Sequence, residues 1–132
     1  MQQKQKTKIL LDTNFLMLPG QHKIDIFSEL ERICSFPYDL FIIDKTIHEL
    51  DKIIQQANTK DKTAAKISKQ LIEAKKITVI ETQQGITDDI ILSLAKLDDY
   101  IVATLDKELK RRLKAESIKL ITLRKSKFLI FE

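Results

Sequence analysis

Short apolar runs alternate with longer amphipathic stretches along the chain, and this alternation limits the fold more than any other feature. "KILLDTNFL" opens the series with a run over 8–12, followed by "DLFII" (39–43), "ITVIE" (77–81), "YIVAT" (100–104) and "IKLITL" (118–123). Each suits a strand and is too short for a helix, and a continuous apolar run suits a strand covered on both faces. Helical spacing fills the gaps. Residues 24–34 place Ile24, Phe27, Leu30, Ile33 and Cys34 on one side. A second helix runs from Thr46 to about Ala57, the polar stretch "NTKDKT" (58–63) breaks it, and a third carries "AAKISKQLIEAKK". Two more cover 88–97 and 106–116, Pro19-Gly20 reads as a turn, and "FLIF" (128–131) reads as an edge strand or a packed tail. Strands and helices in this order make βαβ crossovers, so the predicted fold is α/β: a three-layer αβα sandwich with a mostly parallel central sheet. The 132 residues contain no repeat and no linker, which predicts a single domain over 1–132 with a short basic tail at 1–7.

Composition removes several classes of function. Hydrophobic residues make up 43% and charged residues 32%, and no apolar run approaches the roughly 18 residues of a membrane span. The opening "MQQKQKTK" is polar and basic with no apolar stretch behind it, so no secretory leader is expected. Cys34 is the one cysteine, which excludes an intramolecular disulfide and fits a reducing cytoplasm. The net charge of +4 is unevenly placed: between Lys107 and Lys127 stand nine Lys or Arg against Glu108 and Glu116. Such a run is either a solvated helix face or a footprint for a phosphate backbone.

No strand is followed by a Gly-rich phosphate loop, no Ser sits in a nucleophile elbow, and His22 and His48 lack partners at zinc spacing. Asn14 stands where an aspartyl-phosphate enzyme of the haloacid type needs a second aspartate. What remains is a pattern of carboxylates. Asp12 ends the first strand, Glu49 lies in the first turn after the second, Asp88 and Asp89 open the helix after the third, and Asp106 follows the fourth. In a parallel sheet all these positions share the carboxyl edge, where open α/β sheets bind their ligands. Each acid also has an ordinary structural explanation. "TIHE" (46–49) fits a capping box, Thr87 with Asp88 and Asp89 fits a helix start, and Asp106 and Asp12 fit a cap and a turn. Recurrence at four crossovers favours the collective reading, because gathered carboxylates are costly without a cation. Hard oxygens without His or Cys select Mg²⁺ or Mn²⁺.

These segments resemble the PIN-domain ribonuclease family. "ILLDTNFL", "IDKTIHELDKI", "TDDIILSLA" and "YIVATLDKELKRRLK" resemble its four acidic motifs, in family order from residue 8 to about 123. The resemblance implies metal-dependent endonucleolytic cleavage of RNA, with Asp12, Glu49, Asp88 and Asp106 as metal ligands and Asn14 and Thr104 orienting them. Whether Asp88 or Asp89 is the direct ligand stays open, although the seven-residue step to Ala95 favours Asp88. Lys107, Lys110, Arg111, Lys114 and Arg124 are then the expected grip on RNA. The branches resembled are the archaeal, ribosomal-RNA-processing one and the VapC toxins. Expected partners are RNA, a second copy of the chain, and an antitoxin or a ribosome-assembly protein, with no membrane. The other readings are a PIN scaffold that binds RNA or protein without cutting and a phosphate-accepting signalling domain. The spread of acids over four crossovers disfavours the last.

Overall fold

In the computed structural model, residues 5–56 and 58–132 are described. The elements run β1 (Thr7–Leu11), α1 (Thr13–Leu16), α2 (Leu18–His22), α3 (Ile26–Ile33), β2 (Tyr38–Ile43), α4 (Asp44–Gln56), α5 (Thr59–Ala74), β3 (Thr78–Ile80), α6 (Thr87–Asp98), β4 (Ile101–Ala103), α7 (Lys107–Ala115), β5 (Leu120–Arg124) and β6 (Phe128–Phe131). The six strands form one sheet in the order β3-β2-β1-β4-β5-β6. All neighbours are parallel except β5 and β6.

Side chains alternate across each strand, and in β1 both faces are apolar. Ile9 and Leu11 enter one core with Phe15, Ile26, Leu30, Leu50 and Ala65, whereas Leu10 enters the other with Ile91, Val102, Leu109 and Leu113. Helices α1–α5 therefore cover one face and α6 and α7 the other, which is the three-layer sandwich the sequence predicts. Right-handed crossovers require this division. The chain leaves β1 toward β2 and β3 with its helices on one side, then crosses to β4 and β5 with its helices on the opposite side. Between β1 and β4 the helices diverge, and the carboxyl ends of these two strands open a crevice. No helix among the described residues is long and apolar enough to cross a membrane.

Several local expectations need correction. Pro19-Gly20 does not turn the chain. Both residues lie in α2, with Pro19 in the first turn, where its missing N–H costs nothing. Gly20 lets α2 press on α5: a Cβ there would lie 2.7 Å from Ala64 Cα. "NTKDKT" is no long break, because Asn58 accepts from the Asp61 amide at 2.9 Å and caps a helix beginning at Thr59. Ala57, where the preceding helix is expected to end, lies outside the described residues, as do residues 1–4 of the basic tail. Thr7 already belongs to β1. "FLIF" is an edge strand, reached by a three-residue connection, 125–127, in which Lys125 and Ser126 both have positive φ and the Lys127 amide donates to the Arg124 carbonyl at 3.1 Å.

Candidate active site

Asp12 is the first residue past β1, and three features hold it. Its amide donates to the Ala103 carbonyl at 2.9 Å, which fixes it at the divergence of β1 and β4. Its Oδ1 accepts from the Thr13 amide at 2.9 Å and caps α1. Its Oδ2 accepts from the buried Thr104 hydroxyl at 2.8 Å. Thr104 Oγ1 in turn accepts from the Asp106 amide at 3.1 Å, so one hydroxyl joins two of the acids. Asp106 caps α7 through Oδ1, which accepts from the Leu109 amide at 2.8 Å. The ordinary and the collective readings thus coexist at Asp12 and Asp106. Each uses one oxygen as a cap while standing in a group of acids.

Electrostatics show which acids share the crevice. Burial pushes the Asp12 carboxyl above the usual range, the Thr104 and Thr13 bonds oppose this, and the charges of Asp88 and Asp106 push it further up. Glu49 is likewise raised, first by burial, and the charges of Asp12 and Asp88 add to it while the Thr13 hydroxyl opposes. Asp88 is raised by burial and then by Asp106, with Arg112 pulling it back. Asp12, Glu49, Asp88 and Asp106 therefore act on one another across four crossovers. Asp89 is exposed and turns to Arg112, with Nη2 and Oδ1 2.8 Å apart. It is Asp88 whose charge reaches Asp12 and Glu49.

The helix-start explanations hold only in part. The capping box at "TIHE" does not form, because α4 begins at Asp44 and Thr46 lies inside it. Glu49 consequently sits in the second turn. Thr46 Oγ1 instead meets Thr13 Oγ1 at 2.9 Å, both buried. Thr87 does not cap α6, whose N-cap is Ile86 with no side-chain bond. Asn14, expected to orient the acids, is exposed and makes no side-chain hydrogen bond to them among the described residues. Thr13, the residue before it, touches Thr46 and opposes the upward push on Glu49. A threonine between an aspartate and an asparagine gives no such signal in the sequence.

The basic residues are partly engaged. Arg111 forks onto Glu108, with Nε at 3.0 Å from Oε2. Lys114 pairs with Glu132 at 2.6 Å, and Lys110 reaches Thr122 at 3.3 Å and Glu132 at 3.9 Å. Lys107 and Arg124 are exposed and make no ion pair among the described residues.

The donor set suits a hard divalent cation: carboxylate oxygens, one of them buried, whose charges oppose one another. As the side chains stand, no three His, Cys, Asp or Glu among the described residues form a group that could hold a metal ion. Hydroxyls and amides hold the Asp12 and Asp106 carboxylates in this arrangement, and a cation would have to draw the acids inward.

Residues 9–126 match the family described as PIN like domain. The chain is 31% identical to ribonuclease VapC4 of Methanocaldococcus jannaschii, over 92% of this chain and 93% of that one. It is also 31% identical to ribonuclease VapC9 of Archaeoglobus fulgidus, over 93% and 87%. Among solved structures, the PIN domain endonuclease Utp24 superposes with a TM-score of 0.75 at 24% identity, over 95% of this chain and 90% of that chain. A domain of a functionally unknown protein from M. jannaschii superposes with a TM-score of 0.63 at 18% identity, over 89% and 91%. At these identities the two structures speak to the fold alone.

Proposed function

The chain belongs to the PIN-like domain family, and on that premise we propose that it is a metal-dependent endoribonuclease of the VapC type. What supports this reading is that Asp12, Glu49, Asp88 and Asp106 all stand at crossovers on one sheet edge, near enough for each to feel the charge of another although not gathered as a metal group. RNA as the substrate is supported by two relatives named as ribonucleases that match along most of their length. Those relatives also favour the VapC branch over ribosomal-RNA processing. An antitoxin covering the acidic edge would then be the protein partner.

Asp12, Glu49, Asp88 and Asp106 would hold Mg²⁺ or Mn²⁺. Such an ion, when bound, lowers the pKa of a water and offsets the charge gathering on a phosphodiester under attack. The chain's own residues prepare the site. The Thr104 hydroxyl fixes Asp12 Oδ2, and the Asp106 amide fixes that hydroxyl, so two carboxylates keep their aim before a cation arrives. The Thr13 hydroxyl favours the charged form of Glu49, the form that ligates. Arg112 occupies Asp89 and leaves Asp88 to the cluster. Lys107 and Arg124 would meet the RNA backbone first, and Lys110, Arg111 and Lys114 would join by exchanging Glu132 and Glu108 for phosphates.

The test is cleavage of a structured RNA by wild type and Asp12→Asn in Mg²⁺, in Mn²⁺ and in EDTA. Metal-dependent cutting that the substitution abolishes is the expected result. Cutting that persists in EDTA would remove the metal from the reading, and folded protein that binds RNA without cutting it would make this a binding module. Reversing Lys107 and Arg124 should flatten the salt dependence of RNA binding, by about one unit of slope for each phosphate that the protein no longer neutralises.

A further inference from the structure

We propose that Asp44, Lys45 and Thr82 form a positioning unit that sets where Asp88 stands in the acidic site. The unit ties the start of α4, which carries Glu49, to the loop that delivers α6, which carries Asp88. This inference rests on the cleavage reading above and extends it to residues that touch neither metal nor RNA.

Helix α6 starts without help from its own sequence, since Ile86 offers no side-chain acceptor to the free amides of the first turn. The loop before it, residues 81–86, belongs to neither strand nor helix. Its anchorage is remote. Thr82 donates its amide to Asp44 Oδ2 at 3.2 Å and its hydroxyl to Asp44 Oδ1 at 2.5 Å. Lys45 Nζ donates to the same Thr82 hydroxyl at 2.8 Å and to the Gln83 carbonyl at 2.6 Å. The Thr82 hydroxyl is thus a relay, accepting from the lysine and donating to the aspartate.

A helix cap has no need of these bonds. Asp44 accepts from the Lys45 amide at 2.9 Å, which serves the start of α4, but its other two bonds cross 38 positions of sequence to reach Thr82. Asp88 is set against Asp106 and Asp12, so an unanchored loop would let it swing outward and relieve the repulsion. A cation can draw in only those carboxylates held nearby, and an anchor beyond the ligands lowers the ordering entropy that binding must overcome.

The test uses the full chain, as wild type, Asp44→Asn and Thr82→Val, with two readouts. The first is amide hydrogen exchange over residues 82–90 in EDTA, and the second is Mn²⁺ binding by calorimetry. The unit predicts faster exchange confined to this segment, and a Mn²⁺ dissociation constant raised about tenfold in both variants, the low end for losing an outer-shell partner. Thr82→Val leaves the cap of α4 intact, so a loss seen in it cannot be charged to the helix. Unchanged exchange and unchanged Mn²⁺ affinity in both variants would overturn the proposal. So would faster exchange spread evenly over the chain, which would mark a general loss of stability. Wild type that binds no Mn²⁺ would overturn the cleavage reading, and the unit's role toward the metal with it, even if the loop exchange responds.

Discussion

Two aspartates close neighbouring parallel strands and have opposite characters. Asp12 follows Leu11 at the end of β1, and Asp44 follows Ile43 at the end of β2. Each accepts from the next amide at 2.9 Å, and each takes a threonine hydroxyl from a distant crossover, Thr104 for Asp12 and Thr82 for Asp44. Yet the Asp12 carboxyl is pushed up, by burial first, and the Asp44 carboxyl is held down, by the Thr82 bonds first. What separates them is burial first, then bonds and company: Asp12 is only 8% exposed and faces Asp88 and Asp106, whereas Asp44 is less buried, takes a second bond from the Thr82 amide and has the Lys45 ammonium 3.8 Å away. One is a latch. The other is a charge opposed by burial and by its neighbours, the character that the proposed metal site would require of it.

The comparison can be broken by experiment, starting from the largest effect. Asp12→Asn should cost cleavage at least about a hundredfold, while Asp44→Asn should leave measurable cutting at high Mn²⁺. Equal losses in a single-turnover assay would erase the distinction between ligand and latch. Thr104→Val comes next. It leaves a buried carboxylate oxygen without its donor and should reduce cleavage by roughly ten- to a hundredfold, as expected for an outer-shell partner.

Stability should then move in opposite directions. In EDTA at neutral pH, Asp12→Asn removes a buried charge with like-charged neighbours and should raise the melting temperature. Asp44→Asn should lower stability by about 1 kcal/mol through weaker bonds to Thr82. Guanidinium titration of both variants would show it. The smallest effect lies in the pH dependence. Asp12, Glu49 and Asp88 have folded values above their ordinary 3.8 and 4.5, so their charge opposes folding and the penalty fades as pH falls from neutral toward those values. Asp25, Glu29 and Asp44 have folded values below the ordinary ones. Their contribution is complete above 3.8 to 4.5 and is lost as pH falls through the depressed values. Metal-free protein should therefore be more stable at mildly acid pH than at neutral pH, before stability falls in stronger acid. Asp12→Asn should flatten the rise, and saturating Mn²⁺ should reverse it.

Much of this molecule is legible along the chain because parallel strands buried on both faces must be apolar throughout. That requirement makes "ILL", "DLFII" and "YIVAT" readable as strands, and the βαβ order then assigns every crossover acid to one edge. Local chemistry was a poorer guide. Pro19-Gly20 carries a turn signal, yet Gly20 is a contact point for Ala64 in a helix. "TIHE" carries a capping signal, yet Asp44 starts the helix and Thr46 is spent on Thr13. In each case a partner distant in sequence outweighs the neighbours.

The layers, the parallel order and the placing of Asp12, Glu49, Asp88 and Asp106 at the carboxyl edge follow from periodicity and from which residues follow a strand. The surroundings that distinguish one carboxylate from another come from partners far apart in the chain. The hydroxyl that orients Asp12 lies 92 positions away, the arginine that occupies Asp89 is on another helix, and the threonine that anchors the loop before Asp88 bonds to the start of α4. A carboxylate's character is set by burial and by the charges around it, and those exist only once the crossovers have closed.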